Sequence, residues 1–254
     1  MSYIPLKMKD TAESYRIKKK IMFDLPMRLL ILGKSQYAGK TNEAGNFFIR
    51  PFDENDVGGL DCYRNDFEGN NIYIVSPSTD IDHKWKSIIE CKNVPEGNIF
   101  NSYNENQLVE LYRQLEANYK ESVSNNRIPD HVLIIMDDIT SSGKLKSKRN
   151  GIICELFQRG RHILVSTVIL GQYYTDIPPS CRTNATGCII FDQPYSRMEA
   201  VYKDHGKKVS KKEFIQEFDR VTEEDHSYMA IKYDGPRSQR FLDRYFKPIP
   251  KLCQ

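Results

Sequence analysis

Arg28-Leu29-Leu30-Ile31-Leu32-Gly33-Lys34-Ser35-Gln36-Tyr37-Ala38-Gly39-Lys40-Thr41 passes from an unbroken apolar run into a small, polar loop that ends in Gly-Lys-Thr. A short apolar run closed by glycine reads as a buried strand. The residues after Gly39 can open a helix, whose first N–H groups lack an intrahelical acceptor and therefore point at an anion. Together they read as a phosphate-binding loop, in which Lys40 reaches the β- and γ-phosphates of a nucleotide and the Thr41 hydroxyl ligates Mg²⁺. The cradle comprises Gly33, Lys34, Ser35, Gln36, Tyr37, Ala38, Gly39, Lys40, Thr41 and Asn42. Its spacing departs from the usual G-x-x-x-x-G-K-[ST], because five residues separate Gly33 from Gly39. Either Lys34 stands in the first-glycine place or the loop is one residue longer.

Downstream, short β-branched runs alternate with helical patterns, as in a mostly parallel sheet flanked by helices. Strands are expected at 28–32, at 71–76 (halted by Pro77), weakly at 97–100, and at 131–136, 163–169, 187–191 and 227–233. The middle runs are continuously apolar, so helices should cover both faces of the sheet. The clearest helix is expected over 105–122, where Leu108, Leu111, Tyr112, Leu115 and Tyr119 recur at helical spacing. Others are expected at 83–90, 151–159, 194–203 and 211–219, with 51–70 a long polar loop. The fold class is α/β, a three-layer sandwich around one mostly parallel sheet. A basic arm (1–24), an ATPase domain (25–235) and a tail (236–254) divide the chain. Pro236, Pro248 and Pro250 suggest that the tail runs extended over the surface.

Bulk composition narrows the function. The chain of 254 residues carries 37 Lys and Arg against 34 Asp and Glu, so contact with nucleic acid must come from local clusters rather than a global field. Its six cysteines show no paired short spacing of the kind that builds a zinc site. Scattered single thiols suit a reducing compartment. No positive start leads into an apolar stretch, and no apolar run reaches the roughly 20 residues of a membrane helix. A soluble, intracellular protein without membrane partners is expected.

The chemistry gathers at strand ends. The strand ending at Met136 runs into Asp137-Asp138, at the sheet edge where ligands bind in open α/β folds. Asp137 takes the place of a metal-holding carboxylate together with Thr41, and Asp138 that of the group that activates water. In isolation the pair reads better as one Asp capping the following helix or turn, and it is the Gly-Lys-Thr loop upstream that favours the nucleotide reading. Gln172 follows the next strand at the same edge and can sense a γ-phosphate. Arg159 and Arg161 lie at a helix end just before that strand, and one of them is a candidate finger for a phosphoryl group in a neighbouring subunit. A cation that satisfies the helix dipole is the alternative. Lys144, Lys146, Lys148 and Arg149 form a cationic stretch directly after the Asp pair, suited to gripping DNA phosphates without reading sequence. A second basic run spans 203–212.

Gly33 to Thr41, then Ile72-Tyr73-Ile74-Val75-Ser76-Pro77-Ser78 with Asp82 and Trp85 following, Leu133 to Asp138, Gly160-Arg161-His162 and Gln172 form an ordered set. That set resembles the genome-packaging ATPases of large double-stranded DNA viruses and virophages, in the FtsK–HerA group of P-loop motors. The resemblance implies an ASCE, RecA-like P-loop NTPase fold and a homo-oligomeric ring that hydrolyses ATP with Mg²⁺ between subunits. It also implies double-stranded DNA threaded into a preformed capsid through a capsid vertex protein, in host cytoplasm, viral factory or virion. On it, Lys40 and Thr41 bind phosphate and metal, Asp137 holds the metal, Asp138 activates water, Gln172 senses phosphate, and Arg161 or Arg159 acts across the interface. Asp138 departs from the commoner glutamate. A P-loop small-molecule kinase and a non-catalytic DNA-binding vertex component are the competing readings. The Lys-rich rather than Arg-rich stretch at 140–160 speaks against the kinase.

Overall fold

The computed structural model describes residues 11–34, 38–49, 62–139, 151–206 and 209–253. The expected sites Ser35, Gln36, Tyr37, Lys144, Lys146, Lys148 and Arg149 lie outside the described residues, as do Lys207 and Lys208.

One eight-stranded sheet organises the chain: β1 (Arg28–Leu32), β2 (Ile72–Val75), β3 (Ile99–Phe100), β4 (Val132–Asp137), β5 (Val165–Gly171), β6 (Gly187–Phe191), β7 (Tyr228–Lys232) and β8 (Phe241–Leu242). Their order is β3-β2-β4-β5-β1-β6-β7-β8. β1 to β6 pair in parallel, while β7 and β8 add an antiparallel edge. β1, β4, β5 and β6 are buried almost throughout, which is why their sequences read as continuous apolar runs. β5 sits between β1 and β4, so the ends of the Gly-Lys-Thr strand and the Asp strand flank a third strand end.

Alternate residues of β1 feed two separate cores. Leu29 and Ile31 pack with α1 (Lys40–Ile49), α2 (His83–Lys92) and the aromatic group of Phe23, Tyr63, Phe67 and Phe246. Leu30 and Leu32 face the other layer. That layer holds α3 (Glu105–Ser124), α4 (Ile152–Arg159), α5 (Pro179–Asn184), α6 (Tyr195–His205) and α7 (Lys211–Val221). The three-layer α/β sandwich is thus observed, and the expected helices are present, with α5 as an addition.

Three expectations are corrected. The strand expected at 163–169 runs instead over Val165–Gly171, because Gly160–Ile163 forms a 3-10 turn and Leu164 takes a left-handed conformation (φ 58) before the strand can start. The tail at 236–254 is not laid over the surface. Phe241 and Leu242 pair with β7, and Phe246, Ile249 and Leu252 are buried. In the stretch read as a polar loop, Tyr63 and Phe67 are core residues, with the Tyr63 hydroxyl donating to the Phe23 carbonyl at 2.8 Å. Met22 and Phe23, at the end of the N-terminal arm, are fully buried as well. Among the described residues no helix is long and apolar enough to cross a membrane.

Candidate functional site

At the carboxyl edge of the sheet, the ends of β1, β4 and β5 surround a cleft of about 330 Å³. Lys40 and Thr41 enter it from the first turn of α1, Asp137 and Asp138 from β4, and Gln172 from β5. Five of the side chains expected from the sequence therefore meet in one place. Asn42 is exposed on α1 and is not among the residues of the cleft wall.

The loop between β1 and α1 is shaped by its glycines. Gly39 has φ +82, a conformation that costs a residue with a Cβ about 1–2 kcal/mol, and the His226 ring packs against its Cα side. Gly33 continues the sheet by donating to the Gly171 carbonyl at 3.1 Å. A side chain there would run into Ala38 and Phe191. Lys34, by contrast, is exposed and pairs with Asp192 at 2.8 Å. Gly33, unlike the exposed Lys34, is a position that tolerates no side chain. The Lys40 ammonium folds back to donate to the carbonyls of Gly33 (2.8 Å) and Lys34 (3.2 Å). Burial lowers its pKa, Asp137 and Asp138 oppose that, and Lys84 adds to it.

Asp137 is 8% exposed and its Oδ2 accepts two hydrogen bonds, from Trp85 Nε1 at 3.2 Å and from Ser76 Oγ at 3.1 Å. Ser76 in turn lies 3.0 Å from Ser78 Oγ. Burial raises the Asp137 pKa, while the Trp85 and Ser76 hydrogen bonds and the Lys40 charge hold it down. These two donors fix one carboxylate oxygen and leave the other for a ligand. Nothing in the chain spacing alone assigns Ser76 or Trp85 a role. The signal was a Ser at the end of a buried strand followed by the chain's single tryptophan. Asp138 adopts φ 51, a left-handed conformation that Asp tolerates better than most residues. Strained backbone of this kind concentrates at functional positions.

Thr41 and Asp137 both line the cleft and offer hard oxygen donors, the kind Mg²⁺ prefers when it takes one or two protein ligands and completes its shell with phosphate and water. Among the described residues there is no cluster of three or more His, Cys, Asp or Glu that could form a closed metal cage. The residues present therefore fit Mg²⁺ brought in with a nucleotide.

The two arginines are not part of this cleft. Arg159 closes α4 and pairs with Glu155 at 3.0 Å, and Arg161 donates to His162 Nε2 at 3.4 Å in the turn before β5. β5 is seven residues long, so these arginines sit about 20 Å from its carboxyl end, at the opposite edge of the sheet. Arg161 instead lies close enough to Arg28, at the start of β1, to help lower the Arg28 pKa to about 10, second to burial.

Comparison with other proteins places this geometry. Residues 96–235 match the family described as Poxvirus A32 protein. The uncharacterized protein 075L of Invertebrate iridescent virus 6 is 26% identical over 146 residues, which cover 56% of this chain and 53% of that protein. The chain thus spans about half the length of that curated relative. Among solved structures, the genome packaging NTPase B204 from Sulfolobus turreted icosahedral virus 2, in complex with AMP, superposes with a TM-score of 0.54 at 15% identity, over 88% of this chain and 98% of that one. The DNA-packaging ATPase B204 from Sulfolobus Turreted Icosahedral Virus gives 0.52 at 13% identity, over 89% and 98%. At such identities the likeness establishes the fold, that of a P-loop NTPase. The match to the family begins downstream of Gly39-Lys40-Thr41 and does not cover that segment.

Proposed function

The chain belongs to the poxvirus A32 family, and from that premise we propose that it is an ATP-driven motor that moves double-stranded viral DNA into a preformed capsid. The observation that carries the reading is the convergence of Lys40, Thr41, Asp137, Asp138 and Gln172, from three neighbouring strand ends, on one cleft. In this reading the N–H groups opening α1 and the Lys40 ammonium bind the ATP phosphates. On nucleotide binding the Lys40 hydrogen bonds to the Gly33 and Lys34 carbonyls give way to bonds to phosphate oxygens. Thr41 and Asp137 would hold Mg²⁺, which when bound supplies charge neutralisation on the phosphates. Trp85 and Ser76 keep Asp137 in place and oppose the rise in its pKa that burial causes. Asp138 takes the proton of the attacking water as general base, and the Gln172 amide orients that water and senses the γ-phosphate. B204, which shares the fold, is named a genome packaging NTPase, which supports the reading.

Arg159 and Arg161 reach a cleft only if it belongs to a neighbouring subunit, which fits a head-to-tail ring with ATP at each junction. Lys144, Lys146, Lys148 and Arg149 follow Asp138 directly in the chain, so a cationic segment that holds DNA phosphates is tied covalently to the hydrolytic strand. A capsid vertex protein is the docking partner in this reading, and the work is done in the host cytoplasm or viral factory, or in association with the virion. ATP hydrolysis measured against protein concentration, with and without double-stranded DNA, tests it. Turnover per subunit should rise steeply with concentration and with DNA. Turnover that is constant per subunit and indifferent to DNA would count against a DNA-coupled ring.

A further inference from the structure

The cleft contains a third lysine, Lys84, carried by α2. After β2, Asp82 caps α2 by accepting from the Lys84 amide at 2.9 Å. The first turn of α2 then divides its side chains: Trp85 turns inward to Asp137, while Lys84 lines the cleft alongside Lys40, Asp137 and Asp138. The three lysines of the cleft are engaged differently. Lys34 pairs with Asp192, and Lys40 donates to two backbone carbonyls. The Lys84 ammonium has no hydrogen bond or ion pair among the described residues, and its charge helps push the Lys40 pKa down. Both ammonium groups line the same cleft, and like charges there repel until a polyanion binds between them. The anchoring of α2 through Trp85 ties the position of this cation to that of Asp137.

We propose that Lys84 is a catalytic residue acting within its own subunit: its ammonium binds the γ-phosphate of the ATP held by Lys40 and neutralises charge that develops on the transferring phosphoryl group. The proposal rests on the ATP reading of the cleft. It gives α2 a function, because a helix that contacts both the γ-phosphate and the Asp137 carboxylate senses whether that phosphate is present.

Trp85 is the chain's single tryptophan, so its fluorescence reports binding without a label. Titrations with ATPγS and with ADP, both with Mg²⁺, compare the wild-type chain with Lys84→Gln and Lys84→Arg. Loss of a hydrogen bond to a charged group predicts that Lys84→Gln forfeits about tenfold to 100-fold of the preference for ATPγS over ADP, while its ADP affinity stays close to wild type. Hydrolysis should fall about 100-fold in kcat, with KM rising alongside the loss of ATPγS affinity, and Lys84→Arg should recover most of these losses. An equal mixture of Lys84→Gln and Lys40→Ala chains should remain inactive, since each subunit needs both lysines. An unchanged nucleotide preference and kcat in Lys84→Gln would overturn the proposal and leave the ATP reading standing. Restored turnover in the mixture would overturn the assignment to the same subunit. Failure of the wild-type chain to bind either nucleotide would remove the ATP reading, and this proposal with it.

Discussion

Replacing Trp85 with Phe probes the metal-binding wall of the cleft. The substitution keeps an aromatic ring against the α1 and α2 core and deletes the N–H that donates to Asp137 Oδ2 at 3.2 Å. A lost hydrogen bond to a charged acceptor costs about 1.5–3 kcal/mol, and the smaller ring leaves a cavity worth about 1–2 kcal/mol more. The two parts separate by pH. Burial already raises the Asp137 pKa above its ordinary value. Between the unfolded and the folded pKa the native state therefore holds the extra proton, and stability falls as pH rises through that window. Without the indole the folded pKa climbs further, because the ionised carboxylate loses one of its two donors. The stability deficit of Trp85→Phe should thus be about 1–2 kcal/mol at the acid end, where Asp137 is protonated, and about 2.5–5 kcal/mol once it is ionised. Urea unfolding of the nucleotide-free protein across pH 4.5 to 8, followed by far-UV circular dichroism, measures it. A deficit that stays constant across the series would refute the reasoning and reduce Trp85 to a packing residue.

Gly39→Ala should lower stability by about 1–2 kcal/mol through its positive φ alone, and it also brings a Cβ to 3.3 Å from His226 Nδ1. Adding His226→Ala should relieve the contact but not the backbone cost, which thermal melts of the single and double variants would separate. His205 is half-buried against Tyr174 and Tyr233, and desolvation lowers its pKa from 6.5 to about 4. The unfolded chain takes up this proton first, so the contribution is complete above pH 6.5 and is lost as pH falls towards 4, by about 3 kcal/mol in all. His205→Gln should flatten that part of the stability profile, and an unchanged slope would show that other groups set it. Phe246→Ala, in the tail, should cost about 3–5 kcal/mol, because the ring meets Phe23, Phe47 and Tyr228. A change within about 0.5 kcal/mol, as for a surface site, would contradict the burial of the tail.

What could be read from the chain and what could not follow from the range of the interactions. β1, β4, β5 and β6 are covered on both faces, so local hydrophobicity announces them, and a glycine or an Asp pair at a strand end is a local mark. β8 is two residues long and flanked by prolines, and it exists because β7 offers an open edge and Phe246, Ile249 and Leu252 find buried positions beyond it. Nothing within the tail encodes that. Tyr63 and Phe67 likewise look like isolated aromatics in a polar stretch until α1 is packed above them. The candidate site divides in the same way. Lys40, Thr41, Asp137, Asp138 and Gln172 sit at strand ends that a parallel sheet brings to one edge. The bond from Trp85 to Asp137 joins residues 52 apart in sequence and depends on how α2 lies on the sheet. Arg159 and Arg161 carry the right chemistry, but their place before β5 puts them at the opposite edge.

The most direct measurement is phosphate release from ATP by the full chain, beside Lys40→Ala, with Mg²⁺ and after chelation. If the cleft at the ends of β1, β4 and β5 is the hydrolytic site, release requires Mg²⁺ and falls at least about 100-fold in Lys40→Ala, whose melting stays near that of the wild type. Equal release by the two proteins, or release that survives chelation, would contradict hydrolysis at this cleft.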